Sequence, residues 1–176
     1  MGDFDLDRVV RKIPDFPKPG ILFYDITSIL TNPQAFRWCV DRICALGRGW
    51  KADAVAGVEA RGFLFGAPVA ERLGLPLVLV RKKGKLPGAV YSRSFALEYG
   101  EDSIEIHRAD IAEPRRVMLV DDLIATGGTL RAAAEIFSQA GSQVVGVAAV
   151  LGLPFLRYDR VLHGFPVEAL HLYHGE

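Results

Sequence analysis

The sequence has 176 residues, 50% of them hydrophobic and 24% charged, which suits one α/β-type domain with a substantial buried core. Lys plus Arg and Asp plus Glu both number 21, so there is no global basic field to attract nucleic acid or an acidic membrane. No apolar run reaches the roughly 18 residues that span a bilayer, and any anion site must therefore be local.

Residues 1–13 interleave acids and bases with Leu6, Val9 and Val10, a pattern that predicts a short amphipathic helix and lacks the apolar core of a secretion signal. A loop over 14–20 contains Pro14, Pro17 and Pro19. Asn32 and Pro33 then read as the N-cap and first-turn proline of a helix through Leu46. Cys39 and Cys44, the only cysteines, point to different faces of that helix. Neither a disulfide nor a zinc site is expected from them, and a reducing cytoplasm is the simplest compartment.

Residues 53–58 predict a buried strand, and 63–73 a helix closed by Gly74, with Pro68 placed near its first turn. Strands follow at 75–81 and 116–120, a helix at 129–140 closed by Gly141, and strands at 143–151 and 167–173. Short apolar strands alternating with helices imply a mainly parallel, doubly wound sheet covered on both faces. Residues 83–110 interrupt this rhythm. Their ends, 89–97 and 103–107, predict two β arms around Tyr99-Gly100-Glu101-Asp102, a hairpin lid inserted into the domain. His163, His171 and His174 in the tail read as structural or surface positions, without the partners that a metal site needs.

The segment 117–129 is the most informative. An apolar strand runs into Asp121-Asp122, then Ala125-Thr126-Gly127-Gly128-Thr129, then a helix. Glycines let backbone N–H groups approach a phosphate, and two threonine hydroxyls with the positive helix end complete an anion cradle at the carboxyl end of a parallel strand. The two acids would repel a bare phosphate, so ribose hydroxyls or a hydrated Mg²⁺ are their natural counterparts. The pattern is neither a Walker loop nor a dinucleotide-binding glycine turn.

At these residues the chain resembles the type I phosphoribosyltransferase family. That resemblance implies that Ala125, Thr126, Gly127, Gly128 and Thr129 hold a 5′-phosphate while Asp121 and Asp122 reach the ribose hydroxyls. Three further stretches are similar to the adenine-specific branch: 13–23 (IPDFPKPGILF), 59–66 (EARGFLFG), and 81–88 (RKKGKLPG) followed by 97–100 (LEYG). Arg61, between a strand and a helix, suits a pyrophosphate, and the resemblance assigns it that role together with Glu59 and Ala60, whose peptide bond is expected to be cis. Arg81, Lys82, Lys83 and Lys85 would by themselves fit a solvated face equally well; the resemblance makes Arg81, Lys82 and Lys85 pyrophosphate contacts, some of them delivered across a dimer interface. It also assigns proton transfer to Glu98, which a closed, dry pocket would shift toward neutrality. Tyr99 is expected to shape the lid, with Gly84, Gly88 and Gly100 as hinges, and Leu22, Phe23 and Leu156 to wall an adenine slot.

The implied architecture is one domain over 1–176, with a helix and base-covering hood at 1–32 and a lid at 83–110. The implied activity is conversion of adenine and phosphoribosyl pyrophosphate to AMP and pyrophosphate. Mg²⁺ is the expected cofactor, carried mainly by substrate and water near Asp121 and Asp122, and the enzyme is expected to be a homodimer. Two departures bear on the base: Tyr24 stands where relatives commonly have arginine, which removes a cation, and Gly152 where many carry an acid. Alternatives are transfer to hypoxanthine, guanine or xanthine, and a non-catalytic regulator that senses phosphoribosyl pyrophosphate, against which Lys85 and Glu98 argue.

Overall fold

The computed structural model describes residues 4–96 and 100–175. Its main sheet has seven strands in the order β5-β6-β4-β3-β7-β8-β9. They are β3 (Ala54–Val58), β4 (Leu77–Lys82), β5 (Val90–Ala96), β6 (Glu101–His107), β7 (Arg116–Ile124), β8 (Gln143–Gly152) and β9 (Val167–Leu172). Strands β4, β3, β7, β8 and β9 run parallel, and the β5–β6 arm joins antiparallel at the β4 edge. The two arms pair antiparallel, in register from Val90↔His107 to Ala96↔Glu101, so Glu101 and Asp102, expected in the turn, lie in β6.

Every residue of β3 is buried, as a parallel strand sandwiched between helices must be. Strand alternation splits it between two cores. Ala54, Ala56 and Val58 pack with α4 (Gly128–Gln139) through Ala133 and Phe137; Val55 joins α2 (Pro33–Gly49) and α3 (Gly62–Leu73) through Ile43, Phe65 and Val69. The caps are those the sequence predicts. The Asn32 side chain accepts hydrogen bonds from the Gln34 and Ala35 amides, both at 3.1 Å, and Gly74 closes α3 in the left-handed region at φ 66°. No described helix is long and apolar enough to cross a membrane.

Three expectations need correction. The helix over 1–13 does not form among the described residues: Leu6–Arg8 is a single 3-10 turn, and Arg11–Pro14 is strand β1, paired antiparallel with β2 (Leu22–Asp25). The turn stops because β2 offers 11–14 a ladder of backbone partners, and tertiary pairing overrides a weak local preference. Pro68 lies inside α3, further in than its first turn. The carbonyl it leaves without a helical donor is that of Leu64, which is exposed. Finally, β7 continues through Asp121 and Asp122 because β8 continues beside it, with Asp121 opposite Ala149 and Leu123 opposite Leu151. A short helix α1 (Thr27–Leu30) follows β2, and α5 (Tyr158–Val161) follows β8.

Candidate functional site

The carboxyl ends of β3, β4 and β7 meet at one edge of the molecule, where ligands of open α/β sheets bind. Beyond β7 the chain wraps a cavity of about 100 Å³ walled by Asp121, Ala125, Thr126, Gly127, Gly128 and Thr129. Gly127 makes the turn possible. Its φ is 82°, and a Cβ there would come within 3.1 Å of the Leu162 side chain, so both backbone and space favour glycine. Helix α4 begins at the next residue and directs its free N–H groups toward the loop.

Strand β7 carries both acids, and their side chains interact with each other. Asp121 lines the cup, where its carboxylate accepts the Asp122 amide at 2.8 Å. Burial and then the neighbouring Asp122 charge raise its pKa well above the ordinary value. Asp122 is buried and accepts a hydrogen bond from Arg61 Nε at 2.5 Å. This contact depends on close packing at the start of α3, since a Cβ on Gly62 would sit 2.7 Å from the Val120 carbonyl oxygen. The sequence places Arg61 and Asp122 in separate roles; the fold joins them in one ion pair.

The peptide bond between Glu59 and Ala60 is cis, as expected. Glu59 accepts from the Lys82 amide at 2.8 Å and from Arg81 Nε at 3.1 Å. Burial raises its pKa, but these donors together outweigh burial and the net shift is downward. Thus the turn after β3 grips the basic end of β4. Arg81 also donates to the Lys85 carbonyl at 3.3 Å, and Lys82 Nζ lies 3.3 Å from Asp102 on β6. Lys85 is exposed. Buried Glu105 accepts the Gly84 amide at 2.9 Å and ties the turn after β4 to β6.

A second, larger cavity of about 480 Å³ lies under the β1–β2 ribbon, walled by Phe16, Phe23, Tyr24, Asp25, Thr27 and Arg61 among others. Arg61 belongs to this wall and also holds Asp122, the next residue in the chain after the cup's Asp121. It also supplies the hood with a cation although position 24 is tyrosine. Phe23 stands in this wall, its ring packed edge-on against Phe16 at 5.1 Å. Leu22 packs toward the core, and Leu156 is 40% exposed on the 3-10 turn Pro154–Leu156. Glu98 and Tyr99 lie outside the described residues.

Sequence reasoning missed two hood residues. Asp25 accepts the Thr27 hydroxyl at 2.7 Å, the Thr27 amide at 3.0 Å and Arg11 at 2.8 Å. The Thr27 hydroxyl, then the Thr27 amide, hold its carboxyl below the ordinary value. An acid two residues before threonine at a strand end is the signal that could have found this turn.

Among the described residues no group of three or more His, Cys, Asp or Glu side chains could cage a metal ion. The acids at the cup can add only carboxylate or water-mediated contacts to an ion that arrives with a ligand, the manner in which Mg²⁺ is commonly held.

A family model described as the phosphoribosyl transferase domain matches residues 26–160. An adenine phosphoribosyltransferase of Treponema denticola is 53% identical over 176 residues, covering 100% of this chain and 93% of that protein. The crystal structure of adenine phosphoribosyltransferase from Thermoanaerobacter pseudethanolicus superposes with a TM-score of 0.91 at 44% identity, covering 95% of this chain and 97% of that one. The Saccharomyces cerevisiae enzyme, crystallised with an imino-altritol bisphosphate and adenine, gives a TM-score of 0.88 at 38% identity over 94% of this chain and 96% of that one. The glycine-rich loop cavity after β7, the aromatic cavity walled by Arg61, and this extent of likeness lead to one assignment: the chain belongs to the phosphoribosyltransferase family, in its adenine phosphoribosyltransferase branch.

Proposed function

We propose that this protein transfers the 5-phosphoribosyl group of phosphoribosyl pyrophosphate to N9 of adenine, giving AMP and pyrophosphate in purine salvage. The observation that carries the reading is the Arg61–Asp122 pair, in which a wall residue of the hood cavity holds the chain neighbour of Asp121 in the cup. A 5′-phosphate fits the amides and hydroxyls of 125–129, and Asp121 in the cup wall accepts from a ribose hydroxyl. Asp122 orients the Arg61 guanidinium beside it and is, by family likeness, the second ribose acid.

Pyrophosphate belongs with Glu59, Ala60 and Arg61, and with Arg81, Lys82 and Lys85 at the end of β4. The Glu59 carboxylate presets the Arg81 side chain and the Lys82 backbone. In the reaction the bond between C1 and the pyrophosphate oxygen breaks, its electron pair leaving with pyrophosphate. The N9 lone pair forms the new bond to C1, and the N9 proton is lost. Glu98 is assigned to that proton transfer and to holding N7 by family likeness; removing such a group costs about 10² to 10⁴ in rate. Mg²⁺, when bound with the substrate, neutralises charge on the departing pyrophosphate.

Adenine belongs in the hood against Phe23, with Leu22 and Leu156 as outer contacts and Tyr99 on the lid. A homodimer is supported by family likeness and by Leu64, 44% exposed on α3 just beyond Arg61. A reducing cytoplasm is supported by two buried free thiols, Cys39 and Cys44, the former pushed up to about 12 by burial.

The test is pyrophosphate release with adenine, hypoxanthine, guanine or xanthine as sole base. Release and AMP formation with adenine at the highest kcat/KM support the reading. Preference for another base, or substrate binding without turnover, overturns it. Glu98→Gln with unchanged turnover removes Glu98 from its role.

A further inference from the structure

Tyr24 is set apart from the other hood residues. It sits in β2 between Phe23 and Asp25 and lines the same cavity, yet its side chain is 6% exposed. Its ring stacks on that of Tyr173, with centroids 3.8 Å apart and planes 16° from parallel. Its hydroxyl donates to the Gly175 carbonyl at 3.3 Å. Tyr173 directly follows β9, the edge strand of the main sheet, and its ring is also met by His171 at 4.6 Å and by Lys12 Nζ at 5.5 Å. Lys12 in turn pairs with Asp7 at 2.6 Å.

The β1–β2 ribbon forms a two-stranded sheet of its own, hydrogen-bonded separately from the seven-stranded sheet. A two-stranded ribbon is marginal unless packed against something larger. The Tyr24–Tyr173 stack supplies such packing, at the one β2 residue that is both buried and part of the cavity wall.

We propose that Tyr24 is a positioning residue for the base: through its stack on Tyr173 it fixes β2, and with it Phe23, at the height that admits a planar purine. The base assignment rests on the proposed transfer to adenine; the anchoring of the ribbon does not.

The experiment compares Tyr24→Phe, which keeps the ring, with Tyr24→Leu and Tyr24→Met, which fill space without one. For each protein, kcat, KM for adenine, KM for phosphoribosyl pyrophosphate and backbone hydrogen exchange over 11–14 and 22–25 are measured. An aromatic pair of this kind is expected to carry about a three- to tenfold effect. Tyr24→Leu and Tyr24→Met should raise the adenine KM by about that factor, leave the phosphoribosyl pyrophosphate KM within about twofold, and speed exchange in both strands. Tyr24→Phe should restore both readouts, as should Tyr173→Phe, which also retains the stack. Equal changes in both KM values, or unaltered exchange and adenine KM in the ringless variants, overturn the proposal. If the unaltered protein forms no AMP, the transferase reading fails, and the exchange comparison still decides whether Tyr24 anchors the ribbon.

Discussion

The cup and the hood hold the two halves of one proposed product and are built in opposite ways. The cup is made by consecutive residues after β7 and is walled by backbone, small side chains and Asp121. The hood draws on two distant stretches, 13–27 and Arg61, and depends on side chains meeting across the chain. A phosphate is nearly the same in every ligand, so a fixed backbone cradle suffices. A base has to be measured by shape, which needs walls that can be set separately.

The contrast predicts graded and separable effects. Gly127→Val should be the most damaging, because a β-branched residue at φ 82° is strained and its Cβ meets Leu162 at 3.1 Å. A cost of about 3 kcal/mol corresponds to about a hundredfold loss in kcat/KM for phosphoribosyl pyrophosphate; an unaffected value would break the cup model. Arg61→Ala removes a wall residue of the hood and leaves buried Asp122, the chain neighbour of the cup's Asp121, without that guanidinium. Steady-state kinetics should show kcat/KM falling for both substrates, by about ten- to seventyfold for losses near 1.5–2.5 kcal/mol. An effect on one substrate alone would separate the two cavities.

Thr27→Val should touch only the hood. Losing the hydroxyl that Asp25 accepts is worth about 1 kcal/mol, or about a fivefold rise in adenine KM with the phosphoribosyl pyrophosphate KM unchanged. The smallest effect is on pH. The Asp25 pKa lies below its ordinary 3.8 in the folded protein, so its contribution to stability is full above 3.8 and lost as pH falls through the lower folded value. Thermal unfolding followed across that range should fall less steeply for Asp25→Asn than for the unaltered protein. Parallel curves would remove Asp25 as an anchor.

The same contrast explains how much could be read beforehand. Continuous apolar runs at 54–58 and 117–120, the Asn32-Pro33 cap and Gly74 are local signals, and the sheet with its helices follows from them. Ala125 to Thr129 is equally local, so the cup was legible as a cup. The β1–β2 ribbon was not, because 11–14 become a strand only when 22–25 lie beside them. Nor did sequence spacing reveal that Arg61 meets Asp122, 61 positions away, or that Tyr24 stacks on a ring 149 positions further on. These contacts are set by where strands end in space, and no local periodicity records that.

A crystal structure with AMP bound tests the central claim most directly. The 5′-phosphate is expected against the amides of 125–129, a ribose hydroxyl toward Asp121, and the adenine under the hood beside Phe23. A phosphate seated instead among Arg81, Lys82 and Lys85, with the loop after β7 free of ligand, would contradict it.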